Sequence, residues 1–322
     1  MNRLSSSSKH SMLTRIITSV VLLLLCVPAL FLGGWYFFAC ISVVCIFSIY
    51  EVVHASNNTL NVPLYIVGIA FGYLLMISNI IFDKSVSSVI GNSGVIALSS
   101  VFIPSLLVIF AFMFTFIFSL VSEKCSILNM CYIFCFCLYI GVACQALMFL
   151  RYLPNSNYLS DPNFTYQESV KSALLLVYVV IGVVFNDVGA YFVGVLFGKH
   201  QMIKRISPNK TWEGFVGGVV ISFAFSFTYS YLCSYFKCPV LKGIFDFDGI
   251  NWLYTLGFSI LMPLAAVFGD LLFSAIKRHF GIKDFSNLLP GHGGVLDRMD
   301  SLSFTGFVVA AILSSILNGW YY

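Results

Sequence analysis

The sequence predicts an all-α polytopic membrane protein of about nine transmembrane helices, with a polar cavity on its cytoplasmic side. Three observations carry this. Of 322 residues, 59% are hydrophobic and 9% charged, whereas soluble domains carry about 25% charged residues. The mean hydropathy is +0.95. Nine apolar stretches approach the roughly 20 residues that a helix needs to cross about 30 Å of hydrocarbon. The same composition excludes a disordered chain, which pairs low hydrophobicity with high charge. It also argues against a nucleic-acid binder: a net charge of +4 without a concentrated basic face leaves no such footprint.

The stretches lie at 14–33, 35–53, 62–82, 96–121, 127–150, 172–197, 214–236, 252–276 and 300–320. The first is too long, and too directly continued by the second, to read as a signal peptide alone. The fourth is blurred by the weakly apolar run 86–98. Ser5 to Ser8 read as a tail. Trp35, Tyr36, Trp252 and the closing Trp320-Tyr321-Tyr322 stand where interfacial anchors belong. No repeat of fixed period is visible. The chain divides by content into an N-terminal transmembrane region, 1–171, with about five helices, and a C-terminal region, 172–322, with about four.

Orientation follows from Lys and Arg placement. With nine spans, the N-terminus shares a side with the loops after spans two, four, six and eight. That side holds Arg3, Lys9, Arg15, Lys124, Lys199, Lys204, Arg205, Lys210, Lys277, Arg278, Lys283 and Arg298. The other holds Lys84, Arg151, Lys171, Lys237 and Lys242. Twelve against five puts the N-terminus in the cytoplasm.

The region before 171 is nearly empty of chemistry. Its one intramembrane acid, Glu51, lies close enough to the end of span two to reach the interface as a solvated carboxylate. Cys131, Cys135 and Cys137 lie within a span with no histidine nearby and read as small apolar residues. Cys233 and Cys238 could pair only in an oxidising outer compartment.

Charge concentrates instead in two cytoplasmic segments, 199–213 and 277–300. They hold 8 of the 17 basic residues, together with Glu213, Asp284, Asp297 and Asp300. The positive-inside rule covers basic residues only and leaves the acids unexplained. In the first segment Ser207-Pro208 has the form of a helix N-cap followed by proline at the first helical position. Lys204, Arg205 and Lys210 beside such a helix start favour phosphate. A snorkelling loop anchored by Trp212 is the alternative.

Span six places Asp187 and Tyr191 on one face with Gly194 and Gly198, and an intramembrane acid normally faces a polar cavity or a cation. In span eight Asp270, Ser274 and Arg278 recur every four residues as a polar stripe, with Lys277 beside it. The glycine-rich turn Pro290-Gly291-His292-Gly293-Gly294 follows, then Asp297-Arg298-Met299-Asp300 opening span nine. Asp297 and Asp300 share a helical face and repel unless a cation lies between them. Oxygen ligands suit Mg²⁺, which binds through one or two carboxylates plus substrate phosphates. Such a set describes nucleotide chemistry on a lipid, without the P-loop of Walker-type ATPases.

The run from Ser274 through Lys277-Arg278, Lys283-Asp284 and Leu289-Pro290-Gly291-His292-Gly293-Gly294-Val295-Leu296-Asp297-Arg298-Met299-Asp300 resembles the signature of the phosphatidate cytidylyltransferases, also called CDP-diacylglycerol synthases. All 27 positions fit. The stretch from Asn186-Asp187 through Ser207-Pro208-Asn209-Lys210-Thr211-Trp212-Glu213-Gly214 is similar too, although many members read Asp-Thr-Gly where this chain has Asp187-Val188-Gly189. The resemblance covers about 180–305. It implies that CTP and phosphatidic acid give CDP-diacylglycerol and pyrophosphate with Mg²⁺, a second cation being compatible, in phospholipid biosynthesis.

On that reading the cytoplasm-facing cavity is the active site. Asp297 and Asp300 hold the metal, and Asp270 closes the site. Lys277 joins these three acids as the catalytic set. Lys210, Lys277, Arg278 and Lys283 bind phosphates, with Asp187, Arg205, Ser274, His292 and Arg298 completing the substrate contacts. The partners implied are CTP, phosphatidic acid and the bilayer, with no nucleic acid; a homodimer is compatible. The NLLPGHGGVLDRMDS run reads as bacterial, hence a plasma membrane, or the endoplasmic reticulum of a eukaryote. Two competing readings are a related CTP-dependent lipid enzyme (a polyprenol kinase or an ether-lipid synthase) and a secondary transporter with Asp187 and Asp270 as ion sites.

Overall fold

The computed structural model describes residues 6–56, 62–85, 108–113, 127–153, 166–247 and 249–319. The chain is an all-α polytopic membrane protein. In order, the helices are α1 (Ser6–Leu32), α2 (Gly34–Ser56), α3 (Val62–Ser85), α4 (described over 108–113), α5 (Ile127–Tyr152), α6 (Tyr166–Phe197), α7 (Trp212–Tyr235), α8 (Trp252–His279) and α9 (Leu296–Gly319). Among the described residues, seven of these nine are long and apolar enough to cross a membrane; in α3 the corresponding apolar stretch is Tyr65–Ile77. Most of the expected fourth span, including 86–98, lies outside the described residues, as do Trp320, Tyr321 and Tyr322. Ser6, Ser7 and Ser8, expected as part of a tail, belong to helix α1, while Ser5 lies outside the described residues.

Contacts divide the bundle into two ends. At one end Arg15, Glu51, the start of α5, the end of α6, the start of α7, the end of α8 and the start of α9 gather. Thr18 of α1 reaches Pro290, Glu51 reaches Leu296, and the Tyr132 and Phe280 rings stand 4.4 Å apart. At the other end Arg151, fully buried, donates to the carbonyls of Leu30 (2.7 Å) and Phe31 (3.4 Å) at the C-terminus of α1. Arg151, counted on the outer side, stands in the last turn of α5 as a helix-end partner: the last carbonyls of a helix lack internal partners, and a cation there also meets the negative end of the dipole. Trp35 and Tyr36 remain exposed at that end. The nine described cysteines, Cys233 and Cys238 included, are free.

Helices α6 and α7 pack backbone to backbone because small residues line their crossing. A Cβ at Gly218 would stand 2.8 Å from the Asn186 carbonyl oxygen, and the buried Ser222 donates to the Gly182 carbonyl at 2.6 Å. This seam brings Asp187 of α6 close to the segment that precedes α7.

That segment corrects the sequence reading. Ser207–Thr211 is a strand, β2, paired antiparallel with β1 (Gln201–Ile203), and α7 starts only at Trp212. Its cap is Thr211, whose hydroxyl accepts from the Gly214 N–H at 3.1 Å. Ser207-Pro208 is no helix start, because the hairpin ladder claims the backbone up to Thr211. Glu213 ties the hairpin down by accepting from His200 Nδ1 (2.6 Å) and from the Lys199 and His200 N–H groups.

Candidate active site

A cavity of about 240 Å³ opens between α6, α8 and the β-hairpin, lined by Asp187, Tyr191, Asn209, Lys210, Thr211 and Asp270 among others. Lys210, carried on β2, forms an ion pair with Asp270. Ser274, one turn along α8, donates to the other Asp270 oxygen at 3.2 Å. The i, i+4 stripe on α8 is thus a hydrogen-bonded unit up to Ser274. Arg278, a further turn on, leaves the cavity and donates to the carbonyls of Ile206 and Ile282, joining the hairpin to the loop after α8.

Asp187 and Asp270 line this cavity, and Asp300 lies within electrostatic reach of both; Lys210 and Arg298 lie within such reach of Asp187, and Lys277 of Asp300. Among the described residues, one oxygen each of Asp187 and Asp300 has no hydrogen-bond donor: Asp187 takes only the Asn186 amide, at 3.4 Å, and Asp300 only Ser301.

Asp297 plays a different part from the one its spacing suggested. Only 9% exposed, it accepts Lys277 Nζ at 2.8 Å on one oxygen; the Phe285 and Gly294 N–H groups donate to the other, at 2.9 and 3.0 Å. Its carboxylate is enclosed by protein donors. The i, i+3 argument set Asp297 against Asp300 across a cation; the structure turns Asp300 toward Asp270 and Asp187 and commits Asp297 to the loop, whose buried N–H groups need an acceptor.

The glycine turn holds Gly291 and Gly293 at φ 76° and 81°, a region that L side chains rarely adopt. His292 is clasped by α1: Thr18 Oγ1 lies 2.7 Å from its Nδ1 and Ser19 Oγ lies 3.0 Å from its Nε2. With both ring nitrogens occupied, His292 positions the turn. Its carbonyl in turn accepts from Arg298 Nε at 3.0 Å. Arg205 and Lys283 lie exposed on the surface and do not line the cavity.

One residue of this site escaped sequence reasoning. Glu51 is fully buried and accepts from Ser286 Oγ (2.6 Å), Val295 N–H (2.8 Å) and Leu296 N–H (2.8 Å). It is not a solvated helix-end carboxylate, because the start of α9 presents orphan donors to it. The available signal was the cost of an acid in an apolar helix.

Oxygen donors facing lysines and arginines suit Mg²⁺ and phosphates. Among the described residues no group of three or more His, Cys, Asp and Glu forms a ready cage, but Mg²⁺ held through one or two carboxylates and substrate phosphates needs none. The donor set fits the ion.

The fold and cavity define a class: a polytopic helical membrane protein with acids and bases gathered at one end of its bundle. The description of the cytidylyltransferase family matches residues 13–316, and the chain belongs to that family. A protein named phosphatidate cytidylyltransferase from Mycobacterium leprae (strain TN) is 39% identical over 177 residues, covering 50% of this chain and 52% of that protein. Proteins of the same name from Staphylococcus aureus (strain COL) and Staphylococcus haemolyticus (strain JCSC1435) are 38% and 42% identical over 141 and 129 residues, covering 44% and 40% of this chain and 49% and 45% of theirs. These matches span about half the length of the curated relatives.

Proposed function

We propose that the protein transfers the cytidylyl group of CTP to phosphatidic acid, giving CDP-diacylglycerol and pyrophosphate. The observation that carries the reading is the Lys210–Asp270 ion pair in a cavity that Asp187 also lines, with Asp300 and Lys277 within electrostatic reach, at one end of an apolar bundle. A phosphate oxygen of phosphatidate attacks the α-phosphorus of CTP in line; the bond to the bridging oxygen breaks and pyrophosphate leaves with that electron pair. A phosphate monoester's second pKa is near 6, so the nucleophile is largely ionised at neutral pH and no strong base is required. The task is positioning and charge neutralisation.

Asp270 and Asp300 would hold Mg²⁺, which when bound neutralises the developing phosphate charge. Lys210 stands at the cavity wall, tethered by Asp270 until phosphate competes for it. Asp297 orients Lys277 toward Asp300. Arg298 offers its charge near Asp187. The lipid tails stay among the helices while the head group enters the cavity, which faces the cytoplasm by the lysine and arginine asymmetry. The bacterial relatives favour a plasma membrane.

Purified protein in liposomes with phosphatidate and Mg²⁺ should move label from CTP marked at the α-phosphorus into chloroform-soluble lipid. CTP marked at the γ-phosphorus should leave none there. Lipid label from the γ-position would report a kinase instead, and no lipid label from either contradicts the reading.

A further inference from the structure

We infer that Glu51 of α2 is a positioning residue for the transfer site: it clamps the loop 286–296 and the first turn of α9, and thereby sets where Asp297 and Asp300 stand. The inference rests on the proposed cytidylyl transfer. A helix leaves its first N–H groups without internal partners. Here the three consecutive N–H groups that lead into α9 are all answered by carboxylates: Gly294 by Asp297, then Val295 and Leu296 by the two oxygens of Glu51. Ser286, on the other arm of the same loop, donates to Glu51 as well, at 2.6 Å.

The loop is thus pinned from two sides, and one pin comes from a helix more than two hundred residues earlier in the chain. The fit is close. A Cβ at Gly294 would stand 2.6 Å from both Glu51 oxygens, so the clamp admits glycine there and resists a side chain. Asp297 follows Leu296 directly and Asp300 lies one turn on, so a displaced first turn displaces both. Misplacement by about 1 Å can cost about 100-fold in rate. A negative group at this end also suits the helix dipole. Glu51 lies behind the loop and outside the lining of the cavity, so it acts through the residues it holds.

The test uses the full chain in liposomes, comparing wild type, E51Q and S286A. Glutamine keeps one acceptor oxygen but presents an NH₂ group where an N–H now donates. E51Q should lower kcat and raise the Mg²⁺ concentration for half-maximal rate, each by about 10-fold, the scale on which residues that orient metal ligands act. A reduced folded fraction would lower kcat and leave the Mg²⁺ requirement unmoved. Hydrogen exchange should quicken in peptides covering 285–296 and stay unchanged along α6 and α7. S286A removes one of three donors and should shift the same readouts less. Wild-type Mg²⁺ requirement and wild-type exchange at 285–296 in E51Q overturn the inference; should E51Q not fold, the same result in S286A overturns it. If wild type itself transfers no label, the functional reading fails, while the exchange comparison still decides the clamp.

Discussion

The helices before residue 171 and those after it place their charged residues differently. In the first region Glu51 and Arg151 are both fully buried, and both answer helix ends: Glu51 meets the N–H groups that open α9, and Arg151 the carbonyls that close α1. In the second region Asp187, Asp270 and Lys210 line a cavity, with Asp300 within electrostatic reach of its acids. One set of charges holds backbone; in the other Lys210 pairs with Asp270, while Asp187 and Asp300 each keep an oxygen without a donor among the described residues. An acid or base within an apolar helix marks a need, and its donors and acceptors decide whether that need is structural or chemical.

Breaking the comparison at its boundary gives the largest stability effect. Lys277 and Asp297 belong to the second region but are enclosed, with side chains 12% and 3% exposed. Lys277→Met strands the Asp297 carboxylate, and losing one partner of a buried pair costs about 3 kcal/mol. Thermal or denaturant unfolding in detergent should show this, together with a fall in transfer rate. Next, Arg151→Met removes charged hydrogen bonds worth about 2 kcal/mol, so unfolding should come earlier, while transfer rate per folded molecule stays at the wild-type level. A changed rate there would blur the division between the regions. The smallest stability effect belongs to Lys210→Ala. Its pair with Asp270 is partly open, at 27% and 31% side-chain exposure, and such pairs contribute about 1 kcal/mol or less. The variant should unfold almost as wild type does yet turn over more slowly; an unchanged rate would return Lys210 to a merely interfacial role.

The helices were legible because a period of apolar residues is a local property, and seven of the expected spans appear as long apolar helices among the described residues. The cavity's acids were legible for a related reason: Asp187 and Asp270 are expensive within apolar runs, and expense shows in one dimension. What spacing could not show is which of two neighbouring acids turns toward a ligand. Asp297 and Asp300 share a face, but the loop N–H groups of Phe285 and Gly294 claim Asp297, and those donors are placed by the tertiary fold. Ser207-Pro208 misled because a cap-like dipeptide is compatible with the hairpin that forms there. Glu51 escaped because its partners, Ser286, Val295 and Leu296, are distant in sequence, and its nearness to a helix end offered a cheaper explanation.

In the proposed function, charges in the second region perform the transfer while those in the first hold them in place. Its most direct test is the transfer of α-phosphorus label from CTP to phosphatidate-containing liposomes by wild type and by Asp300→Ala, with the folded state of each verified. Wild type should label the lipid and the variant should not. Equal labelling by a folded Asp300→Ala protein would contradict the claim.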